Sequence, residues 1–342
     1  MPFADTENKA AIRCQWDRAL LTRWMRLRKQ SYLTYFGLPG PDVRDLVDWK
    51  DLLDRRRTGV ESVGHTKREQ TRAHDEMGRL TTNLFVAGIS SGFQLLRGDV
   101  EDVILDGLDY DGSRPLINDG RPAHAARFGY DLVNLDFDGG LGYKDGSGAA
   151  KRVAALKKLF ERQEGHSFLL FLTINVRDTM GGEIEHYLRG LRTRERGPGW
   201  QKALDWYLSR TEGEREYKLK AAVPSFIQTI AEARVFRCTS RPPIAYEGHE
   251  RAHMIHFAFE LEAVALNGQP ANLRGFSAQD DIDLIELPLI RCKEGQLRLA
   301  ARQHDGFNTA CCAASLDFLP EDRRSAMLLS LTETPYGART MR

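Results

Sequence analysis

Features that tie a chain to the cell exterior or to a membrane are scarce in this sequence. Its five cysteines form no Cys-x-x-Cys pair, their odd number argues against a disulfide framework, and adjacent Cys311 and Cys312 are poorly placed to bridge each other. Residues 1–9 are polar and acidic, unlike a signal peptide, and no apolar run approaches the roughly 20 residues that span a bilayer. We therefore predict a cytoplasmic protein with reduced thiols.

An excess of one charge sign is also missing. The 342 residues contain 49 Lys or Arg against 48 Asp or Glu, so electrostatic binding of nucleic acid by the surface as a whole is not supported. The exception is the segment 9–30, which holds seven Lys or Arg and one Asp and is predicted to be an amphipathic helix with Trp16 and Trp24 on its apolar stripe. We predict that this basic helix docks nucleic acid or a partner protein, with a merely solvated face as the alternative.

The order of apolar runs predicts an α/β protein with a doubly wound, mostly parallel sheet. Its clearest unit is a strand over 130–136, a glycine-rich loop over 139–148, a helix over 149–162 and a continuous apolar strand over 167–174. Helical segments follow over about 185–234. Antiparallel strands are then predicted over 235–238, 243–246 and 253–262, with further strands over 281–290 and 296–301 and a last helix from Pro320.

This pattern divides the chain into three predicted parts. Residues 1–30 form the basic N-terminal helix, and residues 31–265 form the doubly wound domain, with the helical insertion of about 185–234 inside it. Residues 266–342 form a β-rich extension that ends in a helix. The sequence contains no internal repeat and no low-complexity tract.

Ligands of a doubly wound sheet bind at the carboxyl ends of its strands, so the residues that follow each strand are the candidate site. Glycines after the first strand, Gly37 and Gly40, allow a ligand to approach the backbone. Glu61 lies at the end of the second strand, 24 residues after Gly37, where a carboxylate can accept hydrogen bonds from both ribose hydroxyls. Asp99 follows the third strand and can accept from an adenine amine, and Asp136 ends the fourth.

These residues resemble the four motifs of the class I S-adenosylmethionine-dependent methyltransferases. The matching segments are Phe36-Gly37-Leu38-Pro39-Gly40, Gly59-Val60-Glu61, Gly98-Asp99-Val100 and Asp131-Leu132-Val133-Asn134-Leu135-Asp136-Phe137. The resemblance covers roughly residues 30–180, and the antiparallel strands near 235–262 fit the closing hairpin of that family. The fourth motif looks most like those of RNA-directed members and of methyltransferase-like partner proteins in bacterial operons, which suggests a methyltransferase-like subunit of a bacterial multi-protein system.

The resemblance implies a Rossmann-like methyltransferase fold that binds S-adenosylmethionine. Phe36, Gly37, Gly40, Glu61, Asp99 and Asp136 would hold this cofactor, and Asp136, Phe137 and Asp138 would form the catalytic group. The implied activity is methyl transfer to nucleic acid or to a partner-bound substrate. The sequence departs from the family at Tyr35, where the family usually has an acid, and in its tight Gly-x-x-Gly loop with two prolines.

Two other functions remain open at this stage. A catalytically inactive methyltransferase fold that serves as a scaffold fits the atypical glycine loop and the basic helix. A Mg²⁺-dependent phosphatase fits Leu135-Asp136-Phe137-Asp138-Gly139, which resembles the haloacid-dehalogenase signature, with Asp136 as nucleophile and Asp138 as acid/base. There, Thr173 would bind phosphate and Asp280-Asp281 would be the distal metal pair. Gly140 replaces the usual Thr of that signature.

Two further groups of polar residues stand out in the sequence. His249, His253 and His256 crowd one predicted hairpin, but no ligand-spaced carboxylates join them, so we predict histidines on the sheet surface and no metal site. Arg177 and Asp178 follow the fifth strand and are candidates for substrate contact.

Overall fold

The computed structural model describes residues 6–61, 67–107, 128–144, 151–176, 205, 209, 215–264, 287–300 and 309–332. For residues 67–70, 309–311 and 330–332 it describes the backbone alone. The predicted insertion over 185–214, the pair Arg177 and Asp178, the pair Asp280-Asp281 and the loop residues 145–150 lie outside this description, apart from the isolated positions 205 and 209.

The described strands form one mixed sheet. They are β1 (Leu33–Gly37), β2 (Leu53–Glu61), β3 (Phe93–Arg97), β4 (Leu132–Asp136), β5 (Phe168–Asn175), β6 (Phe236–Ser240), β7 (Ile244–Glu247), β8 (His253–Ala263), β9 (Ile290–Lys293) and β10 (Gln296–Leu299). Their order is β10-β9-β7-β8-β5-β4-β1-β2-β3, and β6 also pairs with β8.

The described helices follow the strands in the alternation that the sequence predicts. They are α1 (Glu7–Ala11), a π-helical turn (Ile12–Asp17), α2 (Arg18–Arg28), α3 (Arg44–Asp48), α4 (Lys67–Val86), α5 (Val100–Asp106), α6 (Arg152–Arg162), α7 (Arg215–Ala233), a 3₁₀ turn (His249–Arg251), α8 (Thr309–Ser315) and α9 (Glu321–Thr332). In the part of the chain that the structure describes, no helix is long and apolar enough to cross a membrane.

The first five strands are parallel, which confirms the doubly wound sheet. β1 pairs with β2 on one side and with β4 on the other, β2 pairs with β3, and β4 pairs with β5. The antiparallel strand β8 then lies against β5, with Phe168 opposite Leu261 and Thr173 opposite His256. This arrangement confirms the predicted closing antiparallel strands and gives the chain a Rossmann-like methyltransferase fold.

Both faces of the sheet are buried, because successive side chains of a strand point to opposite faces. In β5 every residue from Phe168 to Ile174 is buried. Leu170 and Leu172 pack with α5, α6 and α7 on one face, whereas Leu169 and Phe171 pack on the other face with the N-terminal helices. This burial explains why the run at 167–174 is apolar without alternation.

The N-terminal helix is part of this second face. Residues 7–28 are helical throughout, as predicted, with a π-helical turn where α1 joins α2. Trp16 and Trp24 are at most 1% exposed, and Trp16 packs edge-on against Phe318. The helix is therefore an integral layer of the fold.

The segment between β1 and β2 differs from the prediction. The spacing of apolar residues over 43–53 predicts a helix capped by Asp42 that continues toward Gly59, but α3 spans only Arg44–Asp48 and begins after Val43, which has a φ of 47°. β2 starts at Leu53, which pairs with Leu33. Pairing with β1 and β3 on both sides of β2 outweighs the local helical periodicity.

Part of the predicted extension 266–342 belongs to the same sheet as the predicted doubly wound domain. β9 and β10, which belong to the predicted extension 266–342, join the same sheet through the pairing of β7 with β9. The boundaries at residues 30 and 265 remain predictions.

The close approach of β1 and β4 gives a first testable prediction. A Cβ atom on Gly37 would lie 2.5 Å from the backbone oxygen of Asn134 and 2.5 Å from the hydroxyl of Tyr35. We expect Gly37→Ala to lower the free energy of unfolding by about 2–4 kcal/mol in urea titrations, because a backbone atom of the central sheet must move.

Gly78→Ala is the matched control, since a Cβ atom there meets nothing within 4 Å on helix α4. It is expected to stabilise the protein by up to about 1 kcal/mol through helix propensity. Equal effects of the two changes would contradict the close packing at Gly37.

Candidate functional site at the carboxyl ends of the central strands

The candidate site lies where the strand order reverses. The chain leaves β1 toward β2 on one side, and β4 lies on the other side, so a crevice opens at the carboxyl ends of β1 and β4. A cavity of about 90 Å³ is found there. Its walls come from the N-terminal helix, the loop after β1, helix α3 and the strands β4, β5, β7 and β8.

A buried hydrogen-bonded cluster forms the floor of this cavity. Asp45 of α3 accepts a short hydrogen bond from the hydroxyl of Tyr35 and another, of 3.0 Å, from the side-chain amide of Asn134. Burial raises the pKa of Asp45 to about 6, and the two hydrogen bonds oppose that rise. Tyr35 thus stands where the methyltransferase motif has an acid, and α3 supplies a carboxylate to it.

The end of β4 carries the residues that the sequence predicts to be catalytic. Asp136 accepts a hydrogen bond of 2.6 Å from the Nζ of Lys9, and its side chain is 29% exposed. Phe137 is buried beneath the guanidinium of Arg152, which lies 4.4 Å from the ring centre. Asp138 is largely exposed and contacts Arg152 at 3.3 Å. Asp136 and Asp138 therefore have different cationic partners.

A second buried chain of hydrogen bonds lines the opposite wall. The hydroxyl of Thr173 lies 2.9 Å from the Nδ1 of His256, whose Nε2 lies 2.9 Å from Asp17. All three side chains are buried, and they come from β5, β8 and the π-helical turn. If Asp17 accepts the Nε2 proton, Nδ1 is the acceptor for the hydroxyl of Thr173. The prediction that His256 lies on the sheet surface is wrong.

Glu61 differs in its surroundings from the acids after β4. Its side chain, at the end of β2, has no hydrogen bond or ion pair with the residues that the structure describes. Burial, together with repulsion from Glu76 and Asp45, raises the pKa of Glu61 to about 8. Glu61 therefore holds its proton at neutral pH, and hydrogen-bond donors from a ligand would favour its ionised form.

The structure brings the predicted cofactor residues to one edge of the sheet but not all to the cavity. Gly40 and Asp136 line the cavity. Glu61 and Asp99 follow β2 and β3, farther along the same edge. The side chain of Phe36 points into the core and packs against Phe128 and Tyr130.

Several residues of the cavity were missed by the reading of the sequence. Lys9, Arg13 and Asp17 come from a helix whose charges indicate a solvent-exposed or docking face, and Asp45 lies in a segment with ordinary helical spacing. The sequence signals the acid Asp45 only indirectly, through Tyr35, which stands where the methyltransferase motif usually has an acid. His256 has no local signal, because its partners are 83 and 239 residues away.

The fold and the site define the class of protein. A parallel sheet in the order β3-β2-β1-β4-β5, continued by antiparallel β8, with acids after β2, β3 and β4, is the class I S-adenosylmethionine-dependent methyltransferase fold. Within that class the chain belongs to the PP_RS20740-like family, whose model matches residues 9–187. No curated protein matches the chain in sequence.

Solved structures with similar folds include three methyltransferases. The O-methyltransferase TomG from Streptomyces achromogenes, in complex with SAM, is 12% identical over 76% of this chain and 91% of its own, with a TM-score of 0.37. The O-methyltransferase from Bacillus cereus, in complex with SAH, is 9% identical over 75% and 91%, with a TM-score of 0.36. Magnesium protoporphyrin IX methyltransferase from Synechocystis PCC 6803, with bound SAH, is 9% identical over 77% and 91%, with a TM-score of 0.33. The fold assignment rests on the strand order and not on these low scores.

The raised pKa of Glu61 predicts how stability depends on pH. The folded protein holds this proton up to about pH 8, whereas the unfolded chain releases it near the ordinary value of 4.5. Glu61 therefore lowers the free energy of unfolding as the pH rises between these two values. We expect Glu61→Gln to remove this loss and to be more stable than the parent at pH 9 by about 1–3 kcal/mol.

Urea titrations of both proteins at pH 5, 7 and 9 measure this difference. Asp45 contributes a change of the same sign at lower pH, but it is present in both proteins and cancels in the comparison. A constant difference between Glu61→Gln and the parent across the three pH values would contradict the assignment.

Proposed function

We propose that this protein binds S-adenosylmethionine across the carboxyl ends of β1 to β4 and transfers its methyl group beside Asp136. The observation that carries the proposal is the buried acid Glu61 at the end of β2, which has no hydrogen bond or ion pair with the described residues and lies next to the crevice of a methyltransferase fold. Burying an acid without a hydrogen-bonding partner costs free energy of folding, and a ligand that donates hydrogen bonds to it offsets that cost. The hydroxyls of a ribose supply the two donors that this acid lacks.

The other residues at this edge fit the same cofactor. Gly37 and Gly40 carry no side chain at two positions at the end of β1 and in the loop after it, which would let the backbone approach a ligand there. Asp99 would accept a hydrogen bond from the adenine amine. The bound cofactor supplies an electrophilic methyl group on a positively charged sulfur, and Asp136 would orient the acceptor and take its proton.

For the acceptor, we propose nucleic acid or a substrate held by a partner protein. Four basic residues of the first helix, Lys9, Arg13, Arg18 and Arg23, pair with acids of this chain. The end of α2 remains basic and exposed through Arg26, Arg28 and Lys29. We propose that this end, and not the whole helix, makes the contact, and that the protein acts in the cytoplasm, where its free cysteines would stay reduced.

A scaffold without turnover is the second candidate, and one observation favours it. The cavity measures only about 90 Å³, and Asp136 already has an ionic partner in Lys9. The phosphatase has less support, because Asp136 and Asp138 bind different basic residues and the hydroxyl of Thr173 is bonded to His256. In the described residues, no group of three or more His, Cys, Asp or Glu is placed to hold a metal ion.

Binding of the cofactor product is the direct test of Glu61. Glu61→Ala should weaken binding of S-adenosylhomocysteine by about 5- to 150-fold in calorimetric titration, because ribose hydroxyls lose their acceptor. Glu161→Ala is the control, since Glu161 lies near the far end of α6, at the opposite edge of the sheet, and should bind as the parent does. Equal affinity of Glu61→Ala and the parent would contradict the placement of the ribose.

Asp136→Asn separates the three functions, because the change is nearly isosteric. In a methyltransferase, transfer of labelled methyl groups to RNA, DNA or protein from cell extract should fall at least about 100-fold while S-adenosylhomocysteine still binds. Loss of a Mg²⁺-dependent hydrolysis of p-nitrophenyl phosphate would instead indicate the phosphatase. A parent that binds the cofactor but has neither activity would indicate the scaffold.

A further inference from the structure

The cavity at the switch point is small where it reaches Asp136. It measures about 90 Å³, which is room for a few water molecules, and Glu61 and Asp99 lie outside it. A methyl donor whose reacting end is to lie beside Asp136 must therefore displace the side chains that occupy this place.

The N-terminal helix supplies the side chains that narrow the cavity. Lys9 extends from α1 and places its ammonium 2.6 Å from the carboxylate of Asp136, the acid beside which the methyl group is proposed to be transferred. Arg13 of the π-helical turn pairs with Asp48 at 2.7 Å and also lines the cavity. Both basic residues thus lie on the cofactor side of the sheet.

We propose that α1 is a gate that closes the cofactor site, with the ion pair between Lys9 and Asp136 as its latch. This inference rests on the proposed function. In the closed state the Lys9 ammonium neutralises Asp136. When the cofactor enters, its sulfonium takes over that charge and Lys9 leaves.

The packing of the N-terminal helix shows which part of it can move. Trp16, Leu20 and Trp24 are almost completely buried and anchor the π-helical turn and α2 on the sheet. In α1, by contrast, Ala11 is the single buried residue. The π-helical turn joins the two parts, and single turns of this kind are rare interruptions of α-helices that occur frequently at functional sites. Opening therefore moves α1 and leaves α2 in place.

A few polar contacts keep α1 closed. The side-chain amide of Asn8 donates to the backbone oxygen of Glu247 at 3.0 Å, and its oxygen accepts from the backbone nitrogen of Gly295 at 3.1 Å. These bonds join α1 to β7 and to the turn between β9 and β10. Hydrogen bonds at a partly exposed surface can be exchanged for bonds to water at small cost. The ion pair between Lys9 and Asp136 therefore determines whether α1 is open or closed.

Lys9→Met tests the latch, because methionine keeps the length of the side chain and removes its charge. Titration with S-adenosylmethionine, whose sulfonium would replace the charge of Lys9, should show an affinity about fivefold higher than that of the parent, since the ligand no longer has to break the partly exposed ion pair between Lys9 and Asp136. Lys157→Met is the matched control: it removes the same charge from an exposed position of α6 and should leave the affinity unchanged.

Hydrogen–deuterium exchange supplies a second measurement that needs no catalysis. The amides of residues 6–11 should exchange faster in Lys9→Met than in the parent without ligand, and faster in the parent when S-adenosylmethionine is bound than in the parent alone. Exchange of α2 should not change.

The outcomes separate the gate from the proposed function. Binding of S-adenosylmethionine by the parent and by Lys9→Met with equal affinity and equal exchange of residues 6–11 would overturn the gate and leave the cofactor site intact. Weaker binding by a Lys9→Met protein that melts at the same temperature as the parent would also overturn it. If neither protein binds S-adenosylmethionine, the proposed function fails, and the gate fails with it.

Discussion

The parallel pairing of β1 between β2 and β4 is the constraint on which the rest of the molecule depends. Gly37 at the end of β1 lies so close to β4 that a single added carbon would meet the oxygen of Asn134 at 2.5 Å. Because the strands on either side of β1 connect in opposite directions, their carboxyl ends leave a crevice between them. The acids after β2, β3 and β4 then come to one edge although they are far apart in the chain. Every candidate function of this protein is a use of that edge.

Burial of polar groups around this crevice follows from the way the two faces of the sheet are covered. The N-terminal helix covers one face with Trp16 and Trp24, and in doing so it brings Lys9 and Asp17 to the cavity. Such groups are stable in a fold only when they are paired, and the structure pairs them with Asp136 and His256. Glu61 is the exception, with a pKa raised to about 8 and no hydrogen bond or ion pair among the described residues. This difference is why the ribose is proposed to bind at Glu61, after β2, and the latch to lie at Asp136, after β4.

Much of the fold was predictable, because its signals are local. The apolar run of β5 and the alternation of β8 identify a covered central strand and its antiparallel neighbour, and both lie within one residue of the predicted ends at 167–174 and 253–262. The region between β1 and β2 was not predictable in the same way. Its periodicity indicates a long helix, but Leu53 pairs with Leu33 of β1 and starts a strand instead. That choice depends on hydrogen bonds to strands on both sides, which no window of the sequence contains.

The sequence by itself determined which residues follow the strands, and therefore the set Gly37, Glu61, Asp99 and Asp136, because strand ends and turn residues are written in neighbouring positions. Only the tertiary structure decided what surrounds them. The contact between Lys9 and Asp136 joins residues 127 positions apart, and the contact between Asp17 and His256 joins residues 239 apart. The basic residues of the first helix indicate a solvent-exposed surface. Because Trp16 and Trp24 pack into the core, however, Lys9 and Asp17 of the same helix face the cavity. A side chain's electrostatic partner is fixed by the folded neighbourhood, and for this site that neighbourhood is assembled from both ends of the chain.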